Sequence, residues 1–109
     1  MSDDVGAVLG ALADPTRRAI VQALLQDGVT SVPALTDAFP ITRQALAKHL
    51  GALGAAGLVE RVAPESGREV RYRLRPGALH RTAEWMAATD TAWDDRLRRL
   101  KRSVEGPSR

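Results

Sequence analysis

Residues 41–53 read ITRQALAKHLGAL. Leu46, Leu50 and Leu53 recur at three- and four-residue steps, which places them on one face of a helix. Turning by about 100° per residue from Leu46 puts Gln44, Ala47, Lys48 and Gly51 roughly opposite that face, with Arg43 flanking them in the first turn. A helix that buries leucine on one side thus offers long hydrogen-bonding side chains, spaced by small residues, on the other. Thr42 suits the N-cap, and Ile41 is placed to staple onto Leu46. Gly54 and Gly57 are expected to end the helix.

Upstream, Ser31 and Pro33 open a short helix that turns Val32, Leu35 and Phe39 inward. Pro40 then disfavours helical geometry at Phe39, so FPI is a tight turn. Before it, ALADPTRRAIVQALLQDG (11–28) carries Asp14 as a helix cap and Pro15 at the first helical position, where a missing N–H costs nothing. Ala19, Ile20, Ala23 and Leu24 make its buried stripe and Gly28 its end. Val5, Val8, Leu9 and Leu12 mark a short amphipathic helix at the start.

Downstream the period changes. LVERV (58–62) and VRYRLR (70–75) alternate as strands around the turn-rich PESGRE (64–69). In the second strand Val70, Tyr72 and Leu74 face one way, and Arg71, Arg73 and Arg75 the other, a two-stranded hairpin with one basic face. Leu79, Ala83, Met86, Trp93, Leu97, Leu100 and Val104 then follow a helical stripe interrupted by Asp90. That stripe is longer than a domain this small can cover, so part of it is expected to meet another subunit. The element order is α-α-α-α-β-β-α, a mainly α fold with a small β-hairpin.

The chain has 109 residues and a formal net charge of +3. This supports one domain over residues 1–105, with a disordered tail expected at 106–109. The charge is unevenly spread. Residues 1–40 carry two cations against five anions, whereas residues 41–75 carry seven against three. A basic middle third suggests a polyanionic partner. The absence of cysteine excludes disulfides and thiolate metal sites. MSDDVGAVLG is acidic where a signal peptide is basic, and no apolar run approaches membrane-spanning length, so a cytoplasmic protein without membrane contact is expected.

Two short helices joined by a three- or four-residue turn, here within residues 31–54, are the arrangement of a DNA-binding helix-turn-helix, whose second helix enters the major groove. Arg can take guanine O6 and N7, and Gln adenine N6 and N7. Ala47 and Gly51 leave room for base edges, and the positive end of the helix dipole attracts phosphate.

ALADPTRRAIVQALL, ITRQALAKHLGALGAAGLVERV and GREVRYRL together resemble the ArsR/SmtB-type winged helix-turn-helix transcriptional repressors, across about residues 5–75. The ending WDDRLRRLKRSVE resembles a subgroup without metal sites. The resemblance implies a homodimer paired through its first and last helices (about 3–12 and 78–104), reading a palindromic operator in double-stranded DNA. It places base reading on Thr42, Arg43, Gln44, Ala47 and Lys48. The wing (about 58–75) has its tip at Ser66, Gly67 and Arg68, with Arg71 and His49 added as backbone contacts. Val5, Leu9, Leu12, Met86, Trp93 and Leu97 would form the dimer interface. Many relatives have Ser where this chain has Ala47. Metal-sensing members carry a cysteine pair on the third helix or Asp and His ligands along the last. Here VPALTDAF has no cysteine and His80 stands alone, so neither metal nor cofactor is expected.

Several residues keep a second reading. Arg43, Gln44 and Lys48 also suit a solvated helix face. Arg68, Arg71 and Arg73 suit protection of a sheet edge as well as phosphate contact. His49 suits half-buried structure or phosphate contact, and His80 the surface. Trp85 and Trp93 suit core or dimer interface. RLRRLK (96–101) suits a solvated face better than a second DNA patch. Arg17 and Arg18 either brace the fold or touch phosphate. Two other functions compete: a winged helix used for protein interaction, in which base-reading side chains are typically lost, and an enzyme, for which no catalytic constellation is present.

Overall fold

The computed structural model describes residues 3–63 and 69–105. The expected tail at 106–109 and the wing-tip residues Ser66, Gly67 and Arg68 lie outside them. The elements are α1 (Asp3–Leu12), α2 (Pro15–Asp27), β1 (Thr30–Ser31), α3 (Val32–Ala38), α4 (Arg43–Ala55), β2 (Val59–Val62), β3 (Arg71–Leu74) and α5 (His80–Glu105).

Local chemistry sets most helix ends. The Asp14 carboxylate accepts from the Arg17 backbone N–H at 3.0 Å, with Pro15 opening α2. This hydrogen bond holds the Asp14 carboxyl below its ordinary pKa. A depressed folded-state pKa means that the cap's contribution is present above the unfolded carboxylate value and is lost as pH falls through the folded one. Ser31 Oγ accepts from Ala34 N–H at 3.2 Å to start α3. Thr42 Oγ1 accepts from Ala45 N–H at 3.0 Å to start α4. Replacing Thr42 by Ala leaves that donor to water and is expected to lower unfolding stability by about 1 kcal/mol. A denaturant midpoint that does not move would show the cap to be without weight. At the other end of α4 the chain reverses through Gly57, whose φ of 81° lies where a Cβ is disfavoured.

The core forms where the helical stripes meet. Val8 and Ala11 of α1, Ile20, Val21 and Leu24 of α2, Leu35 of α3, and Leu46, Leu50 and Leu53 of α4 pack with Leu58 and Val59. Full burial of each large aliphatic side chain contributes about 1.5–3 kcal/mol. On α2 the buried face takes Val21, while Ala19 and Ala23 are only half-buried. The stripe is rotated towards the larger side chain.

The sheet has three antiparallel strands in the order β1-β3-β2, not two, so the element order gains a strand before α3. Thr30 pairs with Tyr72 and Ser31 with Arg71, while Val59, Glu60, Arg61 and Val62 pair with Leu74, Arg73, Tyr72 and Arg71. A two-residue strand is too short to show a period, and its partner lies some forty residues away. Tyr72 and Leu74 face the core.

α5 differs most from a packed helix. It spans 26 residues, about 39 Å at 1.5 Å per residue. It packs on α1 near its start, and Thr82, not the expected Ala83, is its buried residue. Residues 83–105 are all exposed. The molecule accordingly measures 76 × 25 × 23 Å.

Candidate nucleic-acid interface

α4 is anchored from beneath by Leu46, Leu50 and Leu53, all buried. On its outer side Thr42, Arg43, Gln44, Ala47, Lys48 and Gly51 are all exposed. The side chains of Arg43, Gln44 and Lys48 make no hydrogen bond or ion pair with another described residue. Long polar groups are therefore presented from a rigid helix with their hydrogen-bonding capacity unused. Thr42 adds a hydroxyl whose oxygen is already engaged as the α4 cap but whose proton is free to donate.

His49 lies on another side of α4. Its Nδ1 accepts from Arg17 Nε at 3.3 Å, so α2 holds the ring, and a neutral ring accepting there carries its proton on Nε2. Arg18 Nη1 donates to the carbonyls of Leu12 at 2.6 Å and Ala13 at 3.2 Å, across the α1–α2 turn. Both arginines that the sequence left open thus brace the helices. Arg17 and His49 are 32 positions apart, and nothing local signals their meeting.

The sheet's outer face is less basic than the alternation of Arg71, Arg73 and Arg75 implies. Glu60, directly across from Arg73, accepts from its Nε and pairs with its Nη2, both at 2.8 Å. Its other oxygen lies 3.7 Å from Arg75 Nε. Arg71 sits between Val62 and Ser31, half-buried, and its Nε is buried without a hydrogen-bond partner among the described residues. The cross-strand register, invisible in the sequence, is what brings Glu60 into this row.

Of the residues expected between subunits, Val5 is buried within its own chain and has little surface left for a partner. Leu9 is half-buried, and Leu12 is half-buried against the core. Met86, Trp93 and Leu97 are exposed, as are Trp85, Leu100 and Val104. Within RLRRLK, Arg98 pairs with Asp95 one turn back, as a solvated face does. His80 is exposed and 3.3 Å from Glu84. Among the described residues no His, Cys, Asp and Glu side chains group as a metal site, and no helix is long and apolar enough to cross a membrane.

Comparison with known proteins points the same way as this geometry. A family described as a helix-turn-helix domain matches residues 12–62. The HTH-type transcriptional repressor SmtB of Mycobacterium tuberculosis is 43% identical over 72 residues, covering 66% of this chain and 51% of that protein. The chain thus spans about half the length of the curated relatives it matches. An ArsR-like transcriptional regulator from Rhodococcus sp. RHA1 superposes with a TM-score of 0.80 at 38% identity, covering 97% of this chain and 96% of that one. A homodimeric winged helix-turn-helix DNA-binding domain from Mycobacterium bovis, described as belonging to a possible ArsR-family transcriptional regulator, superposes with a TM-score of 0.61 at 30% identity, over 87% and 82%.

Proposed function

The chain belongs to the ArsR/SmtB family of winged helix-turn-helix transcriptional regulators, and on that premise we propose that it represses transcription by binding a palindromic operator as a homodimer. One observation carries the reading. Arg43, Gln44 and Lys48 stand exposed at the start of a helix fixed by three buried leucines, without partners among the described residues. Protein-interaction versions of such a fold have no need of this set.

In this mechanism α4 enters the major groove, where Arg43 and Gln44 meet base edges bidentately and Lys48 serves as a point charge. Ala47 and Gly51 permit close approach. Two copies joined along α5, with Leu9 of α1 beside it, present two such helices to two half-sites, and the two-fold of the protein matches that of the operator. Repression, rather than activation, rests on the relative from Mycobacterium tuberculosis, which is named a repressor.

The test is fluorescence anisotropy on the DNA upstream of the chain's own gene and on a scrambled duplex, across a salt series. A preference of about 10³-fold or more for the native sequence is expected. Weak and equal binding to both, and to duplexes selected from random DNA, would overturn the reading. Arg68→Ala tests the wing: affinity should fall alike on every sequence, and the slope of log K against log salt should flatten by about one unit. An unchanged slope removes Arg68 from the phosphate contacts.

A further inference from the structure

Where the start of α5 meets α1 and the α4–β2 turn there is a cavity of about 270 Å³. Asp4, Gly57, Arg75, Gly77, Arg81 and Thr82 line it. Arg75 arrives from the end of β3 and Arg81 from the first turn of α5, so two arginines from separate elements line one cavity. No acidic residue occupies that first turn, which leaves the positive end of the α5 dipole without an anion from its own helix there. Thr82 is only 4% exposed, and its hydroxyl makes no hydrogen bond with another described residue. Thr82 lines the cavity, so its hydroxyl is placed to hydrogen-bond a ligand held there. Gly77, at a φ of 74°, keeps one wall low: a Cβ there would meet nothing within 4 Å.

Each guanidinium is presently held by a carboxylate of the protein. Asp4 pairs with Arg81 and so ties α1 to α5. Glu60, which also holds Arg73, lies near Arg75. The cavity therefore sits where the wing strands join the two helices assigned to dimerisation.

We propose that this cavity binds a small oxyanion, the carboxylate or phosphate group of a metabolite, which takes Arg81 from Asp4 and loosens α1 from α5. The binding half stands on the cavity alone. The regulatory half rests on the operator-binding dimer described above, because shifting α1 against α5 changes how two copies are joined. The ligand acts to the extent that it prefers the loosened arrangement.

The full chain, labelled with nitrogen-15, is titrated with sodium phosphate and with sodium malonate, against sodium chloride at matched ionic strength. The amides of Gly57, Gly77 and Ala78 should shift saturably with phosphate or malonate and not with chloride. Whichever of the two binds more tightly identifies the headgroup. Arg81→Gln should weaken binding about tenfold or more, as loss of a charge-assisted hydrogen bond does. Thr82→Val, nearly isosteric, should weaken it less. Asp4→Asn should tighten it, because the competing carboxylate is gone; a purely structural ion pair has no such effect. Shifts that follow ionic strength alone, or an Arg81→Gln chain that binds as well as the native one, would overturn the site. The same anion is then added to the protein–operator complex at constant ionic strength. A changed Kd for the native chain and not for Arg81→Gln supports regulation, and an unchanged Kd overturns it. A chain that binds the anion but no DNA overturns the operator reading and the regulatory half together, and leaves the site standing.

Discussion

A Trp93→Asp chain is expected to be monomeric at concentrations where the native chain is dimeric, and to lose specific operator binding with the dimer. Trp93, Leu97 and Leu100 are 55%, 44% and 59% exposed on one side of α5. They continue the stripe from Met86, with Val104 beyond. A tryptophan offers roughly 150–250 Å² for burial, so the uncovered part of Trp93 is about 100 Å². Covering it contributes roughly 2–3 kcal/mol. An aspartate in its place adds an uncompensated charge at the seam, and a two-fold axis repeats the defect. A loss of about 5 kcal/mol or more follows, over 10³-fold in the dimer dissociation constant. Sedimentation velocity reads the assembly and anisotropy the DNA binding. A Trp93→Asp chain that stays dimeric with native affinity would remove α5 from the interface.

Gln44→Ala is expected to cost roughly 1–3 kcal/mol at the base pair it reads, in each half-site, and little on unrelated DNA. The side chain is exposed, has no partner among the described residues, and lies on a helix whose position depends on Leu46, Leu50 and Leu53. Truncation should therefore leave the fold intact while erasing discrimination at one position. Scanning that position with all four base pairs separates the two effects. Equal losses on operator and scrambled DNA would make Gln44 a general contact and not a reader.

What the chain reveals by itself is what depends on near neighbours. Asp14, Ser31 and Thr42 are caps because each oxygen meets an N–H three residues on. The leucine stripe of α4 is legible because its period is short. The features that escaped involve partners distant in sequence. β1 exists only through Tyr72 and Arg71, the Arg17–His49 bond spans 32 positions, and Glu60 tempers the arginine row only because the register sets it opposite Arg73. The same reason applies to Val21 and Thr82, whose burial is decided by which neighbour packs above them. Within the interface, the exposed side of α4 could be read from sequence, whereas the engagement of His49 by α2 could not.

Ser31 serves two elements at once: it stands opposite Arg71 in the sheet, and its hydroxyl caps α3. The helix-turn-helix and the wing therefore share a hinge pin and cannot change their spacing without breaking the ladder or the cap. On the proposed dimer each protomer acts as a reading head of set geometry, and the freedom left to the pair is the phase between two heads, governed along α5. Switching such a regulator off requires no disturbance of any base contact. It is enough to bring the second head out of step with the roughly 10-base-pair repeat of the duplex.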